Sequence, residues 1–459
     1  MDSQARLDRR RFVRIFGAAS AATLLAACSS STPAMPAAGA SKPTDTKPAD
    51  TKSGAAGPAQ SSGGPVTLRV LTPSFPQDSG KQVFEEIIAG FKQSHPSVSF
   101  DVEYLPNFSD LNERLSTNFA AGTPPDVFMI GLGWIEAFAA RNQLLPIDDR
   151  VTPAELDDFY PVLREGGTFG GKLYSLPIQL DTRLLLYRKD HFVEAGLDSE
   201  KPPTSWEQFA DYAVKLTKRG ADGSLDRTGF DPLGGSNAQP RQHFFRFFWQ
   251  NGAQLFNKEN TEALFNSPEA VEALRWYVDL VRGRRVYDLE FTTGQPTVSL
   301  LGAGKASMAS AHNDIWRELR QNGDLDQIGI IPPFKRKEQG EFIGGNYVVI
   351  ARQTKHPDEA WQFMEHLSSR DMTLKGDVVR GAVPPRKSLQ EAEYVKSNPI
   401  LSAAMAQLAV ARREGGPERW LEIRSLWDPA LVEALQGQKD PKQALDDLTR
   451  KSTDILKRA

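Results

Sequence analysis

Gly122-Thr123-Pro124-Pro125-Asp126-Val127, running on into Phe128-Met129-Ile130-Gly131-Leu132-Gly133-Trp134, is the stretch that decides how this chain folds. Two prolines fix φ, and Pro124 pushes Thr123 out of the α region, so no helix crosses this point. Val127 to Ile130 is an apolar run of strand length without alternation, the pattern of a strand buried on both faces. Gly131 and Gly133 let backbone approach a ligand closely, and Trp134 offers an aromatic face. Strand, glycines and then a new helix is the order in which an open α/β sheet binds ligands beyond the carboxyl ends of its strands. The same residues suit an ordinary loop with a packing tryptophan, so both roles stay open here.

Upstream, Val66–Leu71 alternates and is β-branched, which predicts a first strand. Lys81–Ser94 carries Val83, Phe84, Ile87, Ile88 and Phe91 on one helical face. Val98–Leu105 reads as the second strand and Asp110–Ala121 as the helix entering the opening stretch. This βαβαβ order predicts an α/β fold, with a mostly parallel sheet and helices on both faces. Downstream, Gly170–Pro177 reads as a hairpin-like turn and strand. Ile178–Tyr187 then places a polar triplet, Asp181-Thr182-Arg183, between two apolar runs. A carboxylate there suits sugar recognition, because it accepts two hydrogen bonds and donates none. A surface Asp–Arg pair is the competing role. Six aromatics in the seven positions from His243 to Trp249 wrap right around a helix, so most belong to a core.

The chain has 459 residues, enough for two domains each with its own core. Charged residues make up 25% and hydrophobic ones 40%, ordinary for a globular protein. A net charge of −3 with no long basic run beyond the N-terminus argues against nucleic acid as a partner. The single cysteine, Cys28, excludes an internal disulfide framework and a cysteine-based zinc site. No phosphate-binding loop, HExxH, CxxC or GxSxG is present, so no cofactor or metal is expected.

The N-terminus reads Asp8-Arg9-Arg10-Arg11-Phe12-Val13-Arg14 and then an apolar run to Ala27. A basic region followed by a short apolar one marks an export signal over residues 1–27, too short to span a bilayer as a mature helix. The arginine pair resembles a twin-arginine signal, with Asp8 where Ser or Thr is usual. Leu25-Ala26-Ala27-Cys28 resembles the lipobox of bacterial lipoproteins, which implies lipidation of Cys28 and an exported, membrane-anchored protein. Residues 28–65 are rich in Ser, Ala, Pro, Gly, Thr and Lys, a composition that reads as a disordered tether. A flexible coil of that length reaches about 30–37 Å.

The motif G-T-P-P-D-V, the apolar strand, and then Glu136-x-Phe138-Ala139-Ala140-Arg141-Asn142-Gln143-Leu144-Leu145-Pro146-Ile147-Asp148-Asp149 resemble the extracellular solute-binding proteins of ABC importers, in the subgroup that binds sugars. Ala195-Gly196-Leu197 with Pro202 to Phe209, Gly304-Lys305-Ala306-Ser307-Met308, Phe342–Ile350 and Gly381–Ser388 extend the resemblance through most of residues 66–459. It implies a two-lobed fold, each lobe a mainly parallel sheet flanked by helices, with a hinge between. Residues 66–180 and 329–373 would form one lobe, and 181–328 and 374–459 the other. The chain would cross near Gln179–Thr182, Gly329–Ile331 and Met372–Gly376.

The implied function is a non-enzymatic receptor that captures a di- or oligosaccharide in the interlobe cleft and delivers it to the membrane permease. The implied ligand contacts are Ser74 and Phe75, Asp126, Gly131 and Trp134, Asp181, one of His243 and Phe247, His312, Asp314 and Trp316, the pair Gly344-Gly345, and Arg386. A helix-end role for Arg386 is slightly favoured. Arg183, Arg241 and Arg386 keep a glycerol-phosphate ligand open. An exported glycan hydrolase would instead need two carboxylates in one pocket.

Overall fold

The βαβαβ opening forms with nearly the expected bounds: β1 (Val66–Thr72), a helix over Asp78–Ser94, β2 (Val98–Tyr104), a helix over Phe108–Ala120 and β3 (Val127–Gly131). The computed structural model describes residues 64–75, 78–234, 239–295 and 298–458; the export signal, Cys28 and nearly all of the tether lie outside them. Asn107 starts the second helix by accepting from the backbone N–H of Asp110, which satisfies one of the free donors of the first turn. Strand β1 lies between β2 and β3 and is parallel to both, with Val66 opposite Val98 and Val70 opposite Val127. The apolar run Val127–Ile130 is buried throughout, as a strand covered on both faces requires.

The hairpin of β4 (Thr168–Phe169) and β5 (Lys172–Leu173) turns at Gly170-Gly171. Both glycines have positive φ, the conformation of the tight turn that matches strand twist. Then comes β6 (Ser175–Arg188), 14 residues long, where a typical strand has about five or six. At about 3.3 Å per residue it spans about 46 Å. Its first part, Ser175–Thr182, pairs with β11 (Glu341–Ile350), and its second, Arg183–Arg188, pairs with β9 (Ala306–His312) and β10 (Ile328–Ile331). Short β7 (Lys218–Arg219) and β8 (Leu225–Asp231) complete the second half, and β12 (Ala411–Arg413) flanks β11.

The main sheet order is therefore β2-β1-β3-β11-β6-β9-β8-β7, with β10 on β6 and β12 on β11. The fold class is the expected α/β one, but the sheet is mixed. Four pairings (β1–β2, β1–β3, β8–β9 and β11–β12) are parallel. The long strands β6 and β11 pair antiparallel with each other, and antiparallel with β9 and β10 on the one side and with β3 on the other. Parallel neighbours need a crossover helix, and these strands run between the halves of the sheet without one. The strand expected to return at Ile328–Ile331 stays on the second half, paired with Leu185–Arg188; β11 makes the return, lying between β3 and β6. Residues 372–376 lie inside the helix Arg370–Arg380, which packs against Asp78–Ser94.

Three apolar clusters follow this plan. One, around Phe84, Phe91 and Phe363, fills the first half. A second, around Trp206, Phe209, Phe247 and Trp427, fills the other. The third runs beneath the junction and joins Ile130 and Trp134 to Leu184, Leu186 and Tyr347.

Candidate functional site

The strand period of two decides which side chains meet at the junction. On β6, Gln179, Asp181 and Arg183 share one face; on β11, Phe342, Gly344 and Asn346 do the same; all six line one cavity of about 360 Å³. Thr182, on the opposite face of β6, donates from its hydroxyl to the Phe342 carbonyl. Gly131, Leu132 and Trp134 enter from the carboxyl end of β3, His312 and Asp314 from the end of β9, and Gln239 and Gln242 from the start of the helix Pro240–Gln250. Arg380, Glu414, Arg424 and Phe108 close the remaining sides. The cavity thus takes walls from both halves of the sheet.

The glycines here are set by close approach. A Cβ at Gly344 would meet the Asp181 carboxylate at 2.8 Å, and one at Gly345 the Gln179 carbonyl at 2.6 Å. β11 also slips register just beyond, between Asn346 and Tyr347. Gly133 has φ +88, and a Cβ there would lie 2.9 Å from the Glu414 carbonyl oxygen. Larger residues would push apart the strands that carry the cavity walls.

Charges in the site are paired in a graded way. Arg183 donates to Asp181 at 3.1 Å and to the Gln242 side chain, and its guanidinium lies 5.4 Å from the Phe342 ring centre. His312 contacts Asp314 at 2.6 Å through Nδ1 and approaches Asp181 at 3.8 Å through Nε2. Burial pushes the Asp314 carboxyl up, but His312, Arg183 and Arg317 more than offset this and hold it down at about 2. Glu414 is buried between Arg241 and Arg424, whose charges outweigh burial and lower its pKa. Arg380 lies 5.2 Å from the Phe75 ring centre. Burial lowers its pKa to about 10 against the pull of Asp377, Asp181 and Asp314, and its Nη1 has no hydrogen-bond partner.

Seven of the expected residues meet at this cavity: Gly131, Trp134, Asp181, His312, Asp314, Gly344 and Gly345. The other seven lie elsewhere. Ser74 stands behind the wall and accepts from the Asn346 amide at 2.8 Å. Phe75 stacks on Phe84 with ring centres 4.8 Å apart. Asp126 sits at the far end of β3, where it accepts from the Arg69 N–H and the Thr354 hydroxyl. His243 is buried outside the cavity lining and bonds Ser310 at 2.9 Å, and Phe247 packs on Trp206, Trp276 and Tyr277 in the core. Trp316 is buried and donates to the Gly381 carbonyl. Arg386 donates to the Ser368 carbonyl at 2.9 and 2.7 Å and contacts Asp158 at 3.1 Å. Ser368 ends the helix Pro357–Ser368, so Arg386 neutralises a helix terminus.

Sequence reasoning missed Gln179, Gln239, Gln242, Asn346, Arg380 and Arg424. A signal was available for Gln179 and Asn346: each is an amide at a strand position in step with its cleft-facing neighbours, Gln179 between Ile178 and Leu180 and Asn346 just after the glycine pair. Among the described residues no three or more His, Cys, Asp or Glu side chains are grouped to hold a metal ion.

The sequence signature of the bacterial extracellular solute-binding proteins covers residues 86–403. The chain belongs to this family. Among curated relatives of this solute-binding chain, a putative binding protein of Brucella abortus is 25% identical over 378 residues, covering 82% of this chain and 90% of the relative. The sn-glycerol-3-phosphate-binding periplasmic protein UgpB of Escherichia coli K12 is 24% identical over 427 residues, covering 86% and 93%. Among solved structures, the cyclic α-maltosyl-1,6-maltose binding protein of Arthrobacter globiformis superposes with a TM-score of 0.73 at 22% identity, over 86% of this chain and all of that one. The sugar-binding protein MalE of Xanthomonas citri gives a TM-score of 0.72 at 22% identity, over 85% and 97%. These likenesses establish the fold that solute-binding proteins share. No helix among the described residues is long and apolar enough to cross a membrane.

Proposed function

We propose that this solute-binding protein is the receptor of an ABC importer, captures a di- or oligosaccharide between its lobes, and delivers it to a membrane permease. The observation that carries this reading is the cavity wall itself. Amides and carboxylates (Gln179, Asp181, Asn346, Gln242) alternate with guanidinium donors, and aromatic faces (Trp134, Phe108, Phe342) stand among them. Neutral polyols need donors, acceptors and flat apolar surfaces together, with few charges left unmatched. Solved structures of this fold with bound tagatose, cycloalternan and mannobiose support the same ligand class.

The lobes would meet along β6 and β11, so a ligand touching Trp134 on one side, His312, Asp314 and Gln242 on the other, and Asp181 at the junction favours the closed form through contacts made only there. Lipidation at Cys28 and the 28–65 tether would hold the receptor outside the cytoplasmic membrane, near its permease. Binding proceeds without turnover: the cavity holds three carboxylates, Asp181, Asp314 and Glu414, but each is engaged by a neighbouring Arg or His side chain.

A thermal-shift screen of the intact chain against mono-, di- and oligosaccharides and glycerol phosphates tests the proposal. A sugar that raises the melting temperature in proportion to its concentration, and is recovered unchanged, supports it; cleavage of that sugar would move the protein to the hydrolases. The second reading, a glycerol-phosphate ligand, is favoured by Arg183, Arg380 and Arg424 on the wall and by the glycerol-phosphate-binding relatives. It predicts that glycerol 3-phosphate binds and neutral sugars do not.

A further inference from the structure

Three arginines, Arg183, Arg380 and Arg424, stand on the cavity wall, and two of them are matched. Arg183 pairs with Asp181 at 3.1 Å, and Arg424 with Glu414 at 2.9 Å. Arg380 is not. Its Nη1 is closed off from solvent without a hydrogen-bond partner, and among the described residues no carboxylate comes within ion-pair distance of it. The wall carboxylates are engaged already: Asp181 by Arg183, Asp314 by His312 at 2.6 Å, and Glu414 by Arg241 and Arg424. One guanidinium charge is left over.

Two internal roles for Arg380 fail. It ends the helix Arg370–Arg380, where a cation can satisfy free carbonyls. Yet Arg317 donates to the Val379 carbonyl and the Gly381 N–H to that of Asp377. Asp377, one turn back on the same helix, is 1% exposed, and neither of its carboxylate oxygens has a hydrogen-bond partner. Burial raises its carboxyl well above the ordinary value against the pull of Arg380, so the fold works against the charge that would match the guanidinium. What holds Arg380 is the Phe75 ring, whose centre lies 5.2 Å away. Stacking uses a face of the guanidinium and leaves the N–H groups in its plane, a fork shaped for two oxygens of one anion. A buried donor without a partner costs stability in the unliganded fold, and an anionic group on the ligand recovers it.

We infer that the ligand is an acidic sugar, a saccharide with a uronic-acid unit whose carboxylate pairs with Arg380. This rests on the carbohydrate reading above and names the charge that its ligand carries. One carboxylate matches one unpaired guanidinium. A phosphate monoester carries about 1.5–2 negative charges near neutral pH, and Asp181 and Asp314, which both act on Arg380, repel the excess.

Isothermal calorimetry on the intact chain tests this with glucuronate against glucose, galacturonate against galactose and mannuronate against mannose, each as monosaccharide and disaccharide. Glycerol 3-phosphate and a glycerophosphodiester complete the panel. In at least one series the acid is expected to bind about tenfold or more tighter than its neutral counterpart, equivalent to about 1.4 kcal/mol. Arg380→Met keeps an unbranched stem against Phe75 and is expected to bring the acid-to-neutral ratio close to one; Arg380→Lys is expected to restore part of it. A ratio taken within one variant cancels general damage to the site, and the ratio in the unaltered chain decides the matter even where a variant does not fold. Neutral sugars that bind as tightly as their acids would overturn the acidic ligand and leave the carbohydrate reading standing. A preference for the acid that survives Arg380→Met would overturn the place given to the carboxylate. Binding of a glycerol phosphate in place of every sugar, or of none of these probes, would overturn the carbohydrate reading and this inference with it.

Discussion

Asp181 faces the cleft because strand β6 alternates its faces, and its carboxylate is shared by Arg183 and His312 without being fully enclosed, at 24% side-chain exposure. Asp181→Asn keeps the shape and removes the charge. It is expected to weaken ligand binding about ten- to a hundredfold, the worth of a charge-assisted hydrogen bond, with little change in melting temperature; calorimetry beside a thermal melt separates the two effects. Two buried histidines set a pH dependence. Burial, with Arg227 adding to it, lowers His191 from its ordinary value near 6.5 to about 4, and burial with Arg183 and Arg246 takes His243 well below that value. Both stay neutral in the fold and take up a proton on unfolding as pH falls below about 6.5. Their contribution to stability is complete above that pH and is lost as pH falls below it, for His191 over the range down to about 4. Denaturant titrations at stepped pH should show this slope, and His191→Gln should flatten it by about one proton. At this scale the sequence exposed Asp181, because a charged triplet interrupts an apolar strand. It concealed His243, whose neighbours are aromatic on every side of the helix.

The helix Pro240–Gln250 is buried from end to end, so it must carry its polar groups inward in pairs. Arg246 meets Glu341 of β11, both about 1% exposed, and Gln250 reaches the same carboxylate at 3.2 Å. Burial raises the Glu341 pKa, with Arg246 pulling it back. Arg246→Ala strands that carboxyl and is expected to cost about 3–5 kcal/mol, whereas Arg246→Met with Glu341→Leu together should recover most of the loss. Chemical denaturation of the two variants decides whether the pair stabilises the fold or merely avoids an unpaired charge. The helix and strand positions were largely legible, since apolar spacing reports each element's own burial. The partners of buried charges were not: Arg246 and Glu341 are 95 residues apart, and no local pattern links them.

Across the whole molecule, the two halves of the sheet are joined by the long strands, by the apolar cluster beneath them and by pairs such as Arg246–Glu341, and the proposed receptor requires this joint to bend while each half stays packed. Saturating sugar is expected to reduce the radius of gyration in solution scattering, and a ligand that binds with no change in shape would argue against hinge closure. Cys28→Ser is expected to move the exported protein from the membrane fraction to the soluble one; its mass relative to the lipidated form reads the modification directly.

By itself the sequence determined the α/β alternation, the buried strand after Asp126, the polar triplet on β6 and the glycine pair on β11. Each follows from forces acting within about ten residues: proline and glycine backbone limits, and the periods of strand and helix. Only the tertiary structure decided that Gln179, Arg380 and Arg424 line the same cavity as Asp181, that Arg386 ends a helix, and that β11 makes the return. Those facts depend on contacts between distant segments, whose order is set by how the sheet assembles and not by the pattern of any one segment.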